Sequence, residues 1–353
     1  MANNNLPLVS VVIVNYNGKD FVHNCIESIL KNNYNNYEAI VVDNGSKDGS
    51  VRFLKDKYFN SLKPVKVVEL EKNFGPAKAR NEGVKIARGE YVGFLDNDTE
   101  VAPEWIAEAV KLFEKDNKIG GLQCKILLLR DKKRFDYGGD YFNQYGFLIQ
   151  RVGLREIDKG QYDKEIEILS AKSAGMFIRR DIFEKVGGFD EDYFIFVEET
   201  DLAWRYWLAG YKTVFCPKSI VYHEFSASVK ILSKEKNNYN VRFHGTKNHI
   251  MTLIKNLGVK RLLAILPIHV SIWVGLMIVL AFRGNMRSAF NILKGILWNI
   301  VTLNKTIRKR KKIQSERILS DDLLLALIMK KQSLLVKIKQ FFLAEKLVET
   351  TEK

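Results

Sequence analysis

The chain has 353 residues, of which 46% are hydrophobic, and its formal net charge is +15. This length and apolar content allow one large folded domain with an appendage, and they exclude global disorder. The charge is uneven, because residues 236–353 hold 22 Lys and Arg against six Asp and Glu, whereas residues 1–235 are close to neutral. We therefore expect a neutral domain over residues 1–235 and a basic region over residues 236–353 with a partner of its own.

Three cysteines, Cys25, Cys124 and Cys216, lie far apart along the chain. This spacing fits neither a disulfide framework nor a thiolate metal site, so we predict reduced, buried thiols. The segment before the first apolar run lacks the charged and apolar regions of a signal peptide. We expect the first domain to remain in the cytoplasm.

Short apolar runs alternate with helical patterns in the first hundred residues. Strands are predicted over residues 9–14, 39–42 and 65–70, and helices follow from Asp20, from about Val51 and from Pro76. Apolar strands that alternate with helices are typical of a parallel sheet covered on both faces. Each strand ends in a loop with acids or amides, and such loops gather at one edge of the sheet. We therefore expect one site built from several loops.

A fourth apolar run begins at Tyr91 and ends in Asp96-Asn97-Asp98. Both carboxylates can reach one polar centre where the strand gives way to a turn, and a hard divalent cation is their natural partner. The alternative is an Asx turn that only closes the strand.

Two further side chains are expected near the same edge of the sheet. Asp43 either accepts a hydrogen bond from a base or ribose or caps its own glycine-rich turn. Arg80, on the third predicted helix, either meets a phosphate or base or is a solvated helical arginine. The local sequence leaves both choices open.

The next segments continue the fold, with a helix over residues 104–115 and a strand over residues 121–129. Residues 130–168 are polar and aromatic, so we predict loops and an antiparallel ribbon over the site. A small-residue strand over residues 173–178 leads into a short helix.

A second acidic cluster, Glu198, Glu199 and Asp201, follows an aromatic lead-in. Acids at a helix start cap the helix and favour its dipole, but one acid is enough for that. A carboxylate on the floor of a pocket can instead act as a general base. His223 follows the last predicted strand of this domain; a lone histidine is most often structural, although neutral imidazole can complete the shell of a cation.

These segments, in this order, closely resemble the inverting glycosyltransferases of family 2, in particular their rhamnosyltransferase-like branch. The matching segments are residues 11–18, 42–50, 73–81, 94–98 and 198–205, accompanied by Gly187-Gly188-Phe189-Asp190 and Tyr222-His223. The resemblance covers residues 7–226. It implies an α/β fold of the A type, Rossmann-like, with a mixed, mainly parallel sheet flanked by helices. About residues 1–100 would bind the donor, and residues 101–235 would hold the acceptor side and the catalytic base.

The resemblance implies that one group of residues binds a nucleotide-diphospho-sugar. Tyr16 and Asp43 would contact the nucleobase and ribose, with Arg80 nearby. The other implied donor-binding positions are Asn17, Asn73, Gly75, Asp96 and Asn97.

The resemblance also implies a metal site and a catalytic base. Mg²⁺ or Mn²⁺ on the diphosphate would be held by Asp98, with His223 close to it and Asp96 at the ribose or a metal-bound water. Glu199 would be the base. The family usually has Glu-Asp where this chain has Glu198-Glu199, so Glu198 and Asp201 stay as alternatives.

The basic region contains an apolar segment, residues 262–282, without Asp, Glu, Lys or Arg. Its 21 residues are long enough for a helix that crosses a bilayer. Both flanks are basic, so the rule that positive loops stay cytoplasmic selects no orientation. We favour a re-entrant or in-plane arrangement over a single span, and a buried helix in a soluble core is the alternative.

Two amphipathic basic helices are predicted beyond this segment, one over residues 289–303 and one from Ser320 to Phe341, with a polybasic run at residues 305–312 between them. Such helices bind anionic membrane surfaces. We therefore expect a membrane-associated helical extension at the cytoplasmic face of the cell membrane. Nucleic acid is not an expected partner, because this region is rich in Leu and Ile rather than exposed aromatic residues.

The expected function is sugar transfer to a saccharide or lipid-linked saccharide, in the assembly of a cell-surface polysaccharide or glycan. One alternative is a nucleotidyltransferase. Such an enzyme would give no reason for the second acidic cluster, and it usually has a Gly- and Lys-rich first loop, which this chain lacks. The other alternative is a nucleotide-sugar-binding membrane scaffold without activity. The presence of Asp96, Asp98 and Glu199 argues against it.

Overall fold

The computed structural model describes residues 6–58, 65–224 and 241–341, so the predicted boundary at residues 235 and 236 lies outside the described residues. The larger part is an α/β domain. Its strands are β1 (Val9–Asn15), β2 (Tyr37–Asp43), β3 (Val65–Glu69), β4 (Tyr91–Asp96), β5 (Thr99–Val101), β6 (Ile119–Leu128), β7 (Phe135–Tyr137), β8 (Asp140–Phe142), β9 (Leu148–Gln150), β10 (Ile166–Ile168), β11 (Met176–Arg179) and β12 (Lys212–His223). Its helices are α1 (Lys19–Leu30), α2 (Ser50–Tyr58), α3 (Pro76–Ile86), α4 (Trp105–Lys115), α5 (Arg180–Lys185) and α6 (Glu198–Leu208).

The central sheet has ten strands, and its N-terminal half is parallel. Its order there is β3-β2-β1-β4, with β11 antiparallel between β4 and β6, and β6 parallel to β12. All seven residues of β1 are buried, as a strand covered by helices on both faces requires. Val11 and Ile13 face one apolar cluster, and Val12 and Val14 face the other, with the period of two that a strand imposes. The predicted α/β sheet is confirmed.

Residues 130–168 form loops and short antiparallel pairs, as predicted. β7 pairs with β6, β10 pairs with β12, and β8 and β9 form a separate hairpin. The strand predicted over residues 173–178 is shorter, because Ser173–Gly175 form a 3-10 turn before β11 begins at Met176.

The three cysteines are buried free thiols, which confirms the prediction of reduced, buried thiols. Burial raises the pKa of the Cys25 thiol to about 12, although a hydrogen bond with Thr99 opposes this. The thiols are packing residues of the core rather than nucleophiles.

The helices of the basic region pack on the side of the α/β domain that carries α6. They are α7 (Val241–Asn256), α8 (Val259–Phe282), α9 (Met286–Val301), α10 (Leu303–Ser315) and α11 (Asp321–Ile328). Part of the positive charge faces acids of the α/β domain instead of a separate partner. Lys255 and Lys309 contact Asp190, and Lys305 Nζ lies 2.6 Å from Asp192 Oδ1.

The prediction of one final helix from Ser320 to Phe341 is wrong. Ser320 caps α11 as expected, because its side chain accepts a hydrogen bond from the backbone of Leu323. The helix ends at Ile328, and the chain then binds the β8–β9 hairpin: Lys330 N donates to Phe142 O at 2.8 Å. Residues 334–341 are helical again. Hydrogen bonds to the hairpin thus replace helical ones between the two segments.

Candidate functional site

The candidate site lies where β1, β2 and β4 end. The register places Asn15 of β1 beside Asp43 of β2, and Val14 of β1 beside Asp96 of β4. The carboxyl ends of these parallel strands therefore meet at one edge, where open α/β sheets bind ligands.

Asn15 connects the ends of three strands. Its Nδ2 donates to Asp43 Oδ2 at 2.7 Å, and its Oδ1 accepts from Asn97 Nδ2 at 2.7 Å. Asp43 Oδ1 also accepts from Ser46 N at 2.8 Å, so Asp43 does cap its own turn. Gly18 lies against Asn97 so closely that a Cβ at this position would lie 1.7 Å from Asn97 Nδ2. The buried amides and Asp43 thereby fix the loops that follow β1, β2 and β4.

Two other predicted donor-site amides join neighbouring loops. Asn17 Oδ1 accepts from Lys47 N at 2.8 Å, and Asn73 Oδ1 accepts from Asn44 Nδ2 at 3.0 Å. Tyr16, half-buried, stands beside Asn17 at the same edge.

Gly75 brings the loop after β3 against the segment that precedes the second acidic cluster. Its φ is +84°, and a Cβ there would lie 2.5 Å from the carbonyl oxygen of Phe194. Glycine is required on both counts.

Asp96, Asp98 and His223 form a group whose candidate ligand atoms all lie within 4.8 Å of one another. β12 pairs with β5 and places His223 opposite Thr99, which returns the histidine to the turn after β4. His223 Nε2 lies 3.4 Å from Asp98 Oδ1. Two carboxylates and one imidazole are donors that Mg²⁺ or Mn²⁺ accepts, so these residues fit the implied metal.

Asp136 of β7 is a candidate site residue that the sequence does not reveal. Its Oδ2 lies 2.9 Å from His223 Nδ1, which leaves Nε2 directed at Asp98. A carboxylate behind a histidine ligand fixes the ring orientation and raises its basicity. Burial alone would lower the pKa of His223, but Asp98 and Asp136 raise it well above its usual value. Asp136 has no motif around it, only the alternating pattern of a short strand.

Arg80 lies among carboxylates. It is buried, so it is not a solvated helical arginine, and its two terminal nitrogens face acids. Its contact with a phosphate or base stays a prediction. Nη2 donates to Asp96 Oδ1 at 3.0 Å, Nη1 donates to Glu198 Oε1 at 3.0 Å, and Nη1 lies 3.8 Å from Glu199 Oε1. Burial and the neighbouring Asp98 raise the pKa of Asp96, and Arg80 opposes this rise. Arg80 therefore connects the group of Asp96, Asp98 and His223 with the second acidic cluster.

The three acids of the second cluster have different surroundings. The exposed fraction of the side chain is 3% for Glu198, 16% for Glu199 and 0% for Asp201. Asp201 pairs with Arg205 at 3.0 Å and with Lys255 at 2.8 Å. Burial and the charge of Glu199 raise the pKa of Glu198 to about 8. Glu199 is the most accessible carboxylate of the three.

Ser173 holds Glu199 in place and is the second residue that sequence reasoning missed. Its backbone N–H donates to Glu199 Oε1 at 3.2 Å, and its hydroxyl donates to the same oxygen. The small-residue segment around Ser173 predicts a strand, but nothing in it indicates a contact with a carboxylate 26 residues away.

Comparison with known proteins finds one matching family and several similar proteins. Residues 10–187 match the model of the family "Glycosyl transferase family 2". A Sinorhizobium fredii protein, y4gI, is 29% identical over 63% of this chain and 25% of its own length. TuaG of Bacillus subtilis, provisionally assigned as a glycosyltransferase of teichuronic acid biosynthesis, is 40% identical over 26% of this chain and 36% of its own length. The chain thus spans well under two thirds of these relatives.

Among solved structures, GalNAc-T7 with UDP, GalNAc and Mn²⁺ has a TM-score of 0.58 at 21% identity. The match covers 72% of this chain and 48% of that chain. At this identity the likeness is one of fold.

Proposed function

Because the chain belongs to glycosyltransferase family 2, we propose that it is an inverting, metal-dependent enzyme that transfers a sugar from a nucleotide-diphospho-sugar to a hydroxyl acceptor. One observation carries the proposal. The Asp96, Asp98 and His223 group and the accessible carboxylate of Glu199 lie at the same sheet edge, on two sides of the buried Arg80. One side suits a leaving diphosphate, and the other suits an acceptor that must lose a proton.

Glu199 is the proposed catalytic base. Its Oε1 accepts from Ser173, so we assign the proton of the acceptor hydroxyl to Oε2. As that proton leaves, the acceptor oxygen bonds to the anomeric carbon from the face opposite the diphosphate, and the bond from that carbon to the diphosphate oxygen breaks. A bound Mg²⁺ or Mn²⁺ would neutralise charge on the leaving diphosphate. One displacement on the opposite face inverts the anomeric configuration.

Glu198 and Asp201 fit a supporting role better than that of base. Glu198 accepts from Arg80 and is shielded from solvent, and Asp201 is paired with Arg205 and Lys255. An acceptor hydroxyl must reach its base within hydrogen-bond distance, which the more accessible Glu199 permits.

The donor site is proposed at the loops that follow β1, β2 and β3. Tyr16 is the candidate for contact with the nucleobase. Asp43 and Asn97 order these loops through Asn15, and Asn17 and Asn73 connect them. Because Gly75 has no side chain, the loop after β3 can lie against Phe194, next to the second acidic cluster.

The acceptor is proposed to be a saccharide or lipid-linked saccharide at the cytoplasmic face of the membrane, in cell-surface polysaccharide assembly. The provisional assignment of TuaG, a protein similar to this chain, to teichuronic acid biosynthesis supports a polysaccharide product. Among the described residues, one helix, α8, is long and apolar enough to cross a membrane, with a mean hydropathy of 2.4. Phe282 of α8 and Phe290 of α9 are exposed. Exposed apolar side chains in a region rich in Lys and Arg suit anionic lipid.

We favour an in-plane position for α8. Its buried side chains recur every three or four residues along one face, from Ile265 through Trp273 to Leu280. At His269 this face packs on the α/β domain, where the rings of His269 and Phe147 stack with centroids 4.1 Å apart. Farther along, Leu276 and Leu280 share an apolar cluster with Ala289 and Ile292 of α9. A lone helix that crosses a bilayer contacts lipid on all sides, whereas only the outer face of α8 is available to lipid because its other face is buried.

The experiment is a donor panel with and without Mn²⁺ or Mg²⁺, measured by thermal shift and by release of the nucleoside diphosphate. The panel includes dTDP-rhamnose for the branch that the sequence resembles, and UDP-glucose, UDP-galactose and GDP-mannose. A ligand at 100 times its Kd stabilises the folded state by about 2.7 kcal/mol, so one donor should raise Tm only with metal present. That donor should also be slowly hydrolysed. Absence of both responses for every donor would contradict the proposed function, and binding without hydrolysis or transfer would favour the scaffold.

A further inference from the structure

The loop before α6, residues 193–197, has an unusual backbone; we refer to it as the base loop. Phe194, Phe196 and Val197 have φ values of 63°, 68° and 68°. A positive φ is uncommon for any residue with a side chain and is an outlier for a β-branched one. Ile195 N donates to Tyr193 O at 2.8 Å across Phe194, which closes a rare, strained γ-turn. Glu198 and Glu199 follow immediately, so the base loop sets their position.

One side chain of α7 meets this backbone at three points. Asn248 Nδ2 lies 3.1 Å from Tyr193 O, 2.8 Å from Ile195 O and 2.7 Å from Phe196 O. Carbonyls that turn away from regular helix or strand partners need such a donor when they are buried. Only the amide nitrogen can donate to carbonyls, so the orientation of the Asn248 side chain is defined by its neighbours.

The same face of α7 contacts the base loop through other side chains. The ring of His244 stacks on Phe194 with centroids 5.3 Å apart, and the hydroxyls of Thr252 and Tyr193 are 2.7 Å apart. Positions four apart on a helix share a face, so His244, Asn248 and Thr252 form one row. Within this row, Asn248 is the residue whose side chain reaches three loop carbonyls. It lies in the basic region, beyond the residues 10–187 that match the family model.

Resting on the proposed role of Glu199, we propose that Asn248 is a positioning residue for the catalytic base. Its amide holds the base loop in the positive-φ conformation and thereby keeps Glu199 beside Ser173, directed at the acceptor. The basic region is in this way part of the catalytic unit. A displacement of about 1 Å in reacting groups lowers rates roughly 100-fold, so loss of the amide should be visible in kcat.

The test uses the full-length chain with Asn248→Asp, which keeps the size of the side chain and removes the amide donor. Asn248→Ala is the second variant, in case the first does not fold. The matched control is Asn299→Ala, another buried amide in the basic region, which donates to Lys247 O at 3.0 Å and to Gly295 O at 2.9 Å. The readouts are kcat, donor KM, Tm and hydrogen exchange of the backbone amides of residues 194–199.

We expect the Asn248 variants to lower kcat roughly 10- to 100-fold, with donor KM within about twofold of wild type and faster exchange in residues 194–199. Asn299→Ala should lower Tm comparably but retain kcat and exchange in that segment. Unchanged exchange and kcat in the Asn248 variants, or an equal loss of kcat in Asn299→Ala, would overturn the proposal. If the wild-type chain transferred no sugar, the proposed function would fail, and hydrogen exchange would still decide whether Asn248 holds the base loop.

Discussion

His223 uses both ring nitrogens, with Nδ1 2.9 Å from Asp136 and Nε2 3.4 Å from Asp98. Removal of the charge behind the ring should therefore weaken metal binding although Asp136 itself is not a proposed ligand. Asp136→Asn is expected to lower Mn²⁺ affinity roughly 10- to 100-fold, the usual effect of losing a carboxylate behind a ligand. Isothermal titration with Mn²⁺ measures this.

The control for that prediction is Asp131→Asn, a half-exposed acid on the preceding loop that pairs with Arg134. It should bind Mn²⁺ like the wild type. Equal affinities for Asp136→Asn and wild type would show that Asp136 does not orient the histidine.

Among the residues of the candidate site, the sequence identified the acids but not the side chains that hold them in place. Asp96, Asp98 and His223 were predicted together and lie together. The sequence could not show that Arg80 would face three carboxylates, since these partners come from β4 and α6. Asp136 lies 87 residues from His223 and Ser173 lies 26 residues from Glu199, so local patterns carry no trace of either contact.

Between elements, Asp190 joins the α/β domain to two helices of the basic region. Its carboxylate lies 2.6 Å from Lys255 Nζ of α7 and contacts Lys309 of α10. Burial acts to raise the pKa of Asp190, but Lys255 and Lys309 lower it below its ordinary value of 3.8. Because the pKa of Asp190 is lower in the folded state than in the unfolded state, its ionised carboxylate stabilises the folded protein at pH values above 3.8. The contribution is lost as pH falls through the folded-state pKa.

Asp190→Asn should therefore lower Tm at pH 7, and the difference from wild type should shrink as pH falls below about 4, because the unfolded state then binds a proton that folded Asp190 still releases. Thermal unfolding across this pH range measures the effect. Asp56→Asn, which removes an exposed acid of α2, is the control and should change Tm little at any of these pH values. A difference for Asp190→Asn that persists unchanged to pH 2 would contradict the ionic explanation.

The regular elements were predictable where their patterns are local. The apolar strands β1 to β4 and the helices between them follow from period and turn residues. The end of α11 at Ile328 was not predictable, because the amphipathic pattern continues beyond it and the interruption comes from the distant hairpin at Phe142. In the sequence the base loop is only an aromatic lead-in, because no glycine marks the positive φ of Phe194 and Val197.

For the whole molecule, the outer faces of α8 and α9 give the proposed membrane contact. The full-length chain should float with vesicles of phosphatidylcholine and phosphatidylglycerol and be released by carbonate at pH 11, because the proposed position of α8 is in the membrane plane rather than across it. The double variant Phe282→Glu and Phe290→Glu should lower vesicle binding by at least about tenfold. Both Phe side chains are exposed in the protein, and burying each one in lipid contributes roughly 2 kcal/mol of binding free energy that Glu does not supply.

Leu154→Glu, at an exposed apolar side chain of the α/β domain, is the matched control and should float like the wild type. Failure of the wild type to float would remove the membrane proposal. Resistance to carbonate would contradict the in-plane position and favour a span.

Charge distribution predicted a division of the molecule into two parts, and the structure joins them more closely than that division implied. Lys255 pairs with Asp201 at 2.8 Å and Asn248 binds the base loop, so the basic region contacts the proposed catalytic side of the α/β domain. A net charge reveals an excess of lysine but not which acids those lysines contact.

The central claim is that Glu199 takes the proton of the acceptor, and Glu199→Gln tests it most directly. Transfer by this variant should fall by roughly 100-fold or more, the scale of a positioned base, while donor Kd stays within about twofold of wild type. Glu167→Gln, at an exposed acid of β10, should transfer normally. A Glu199→Gln variant with near-normal turnover would contradict the account.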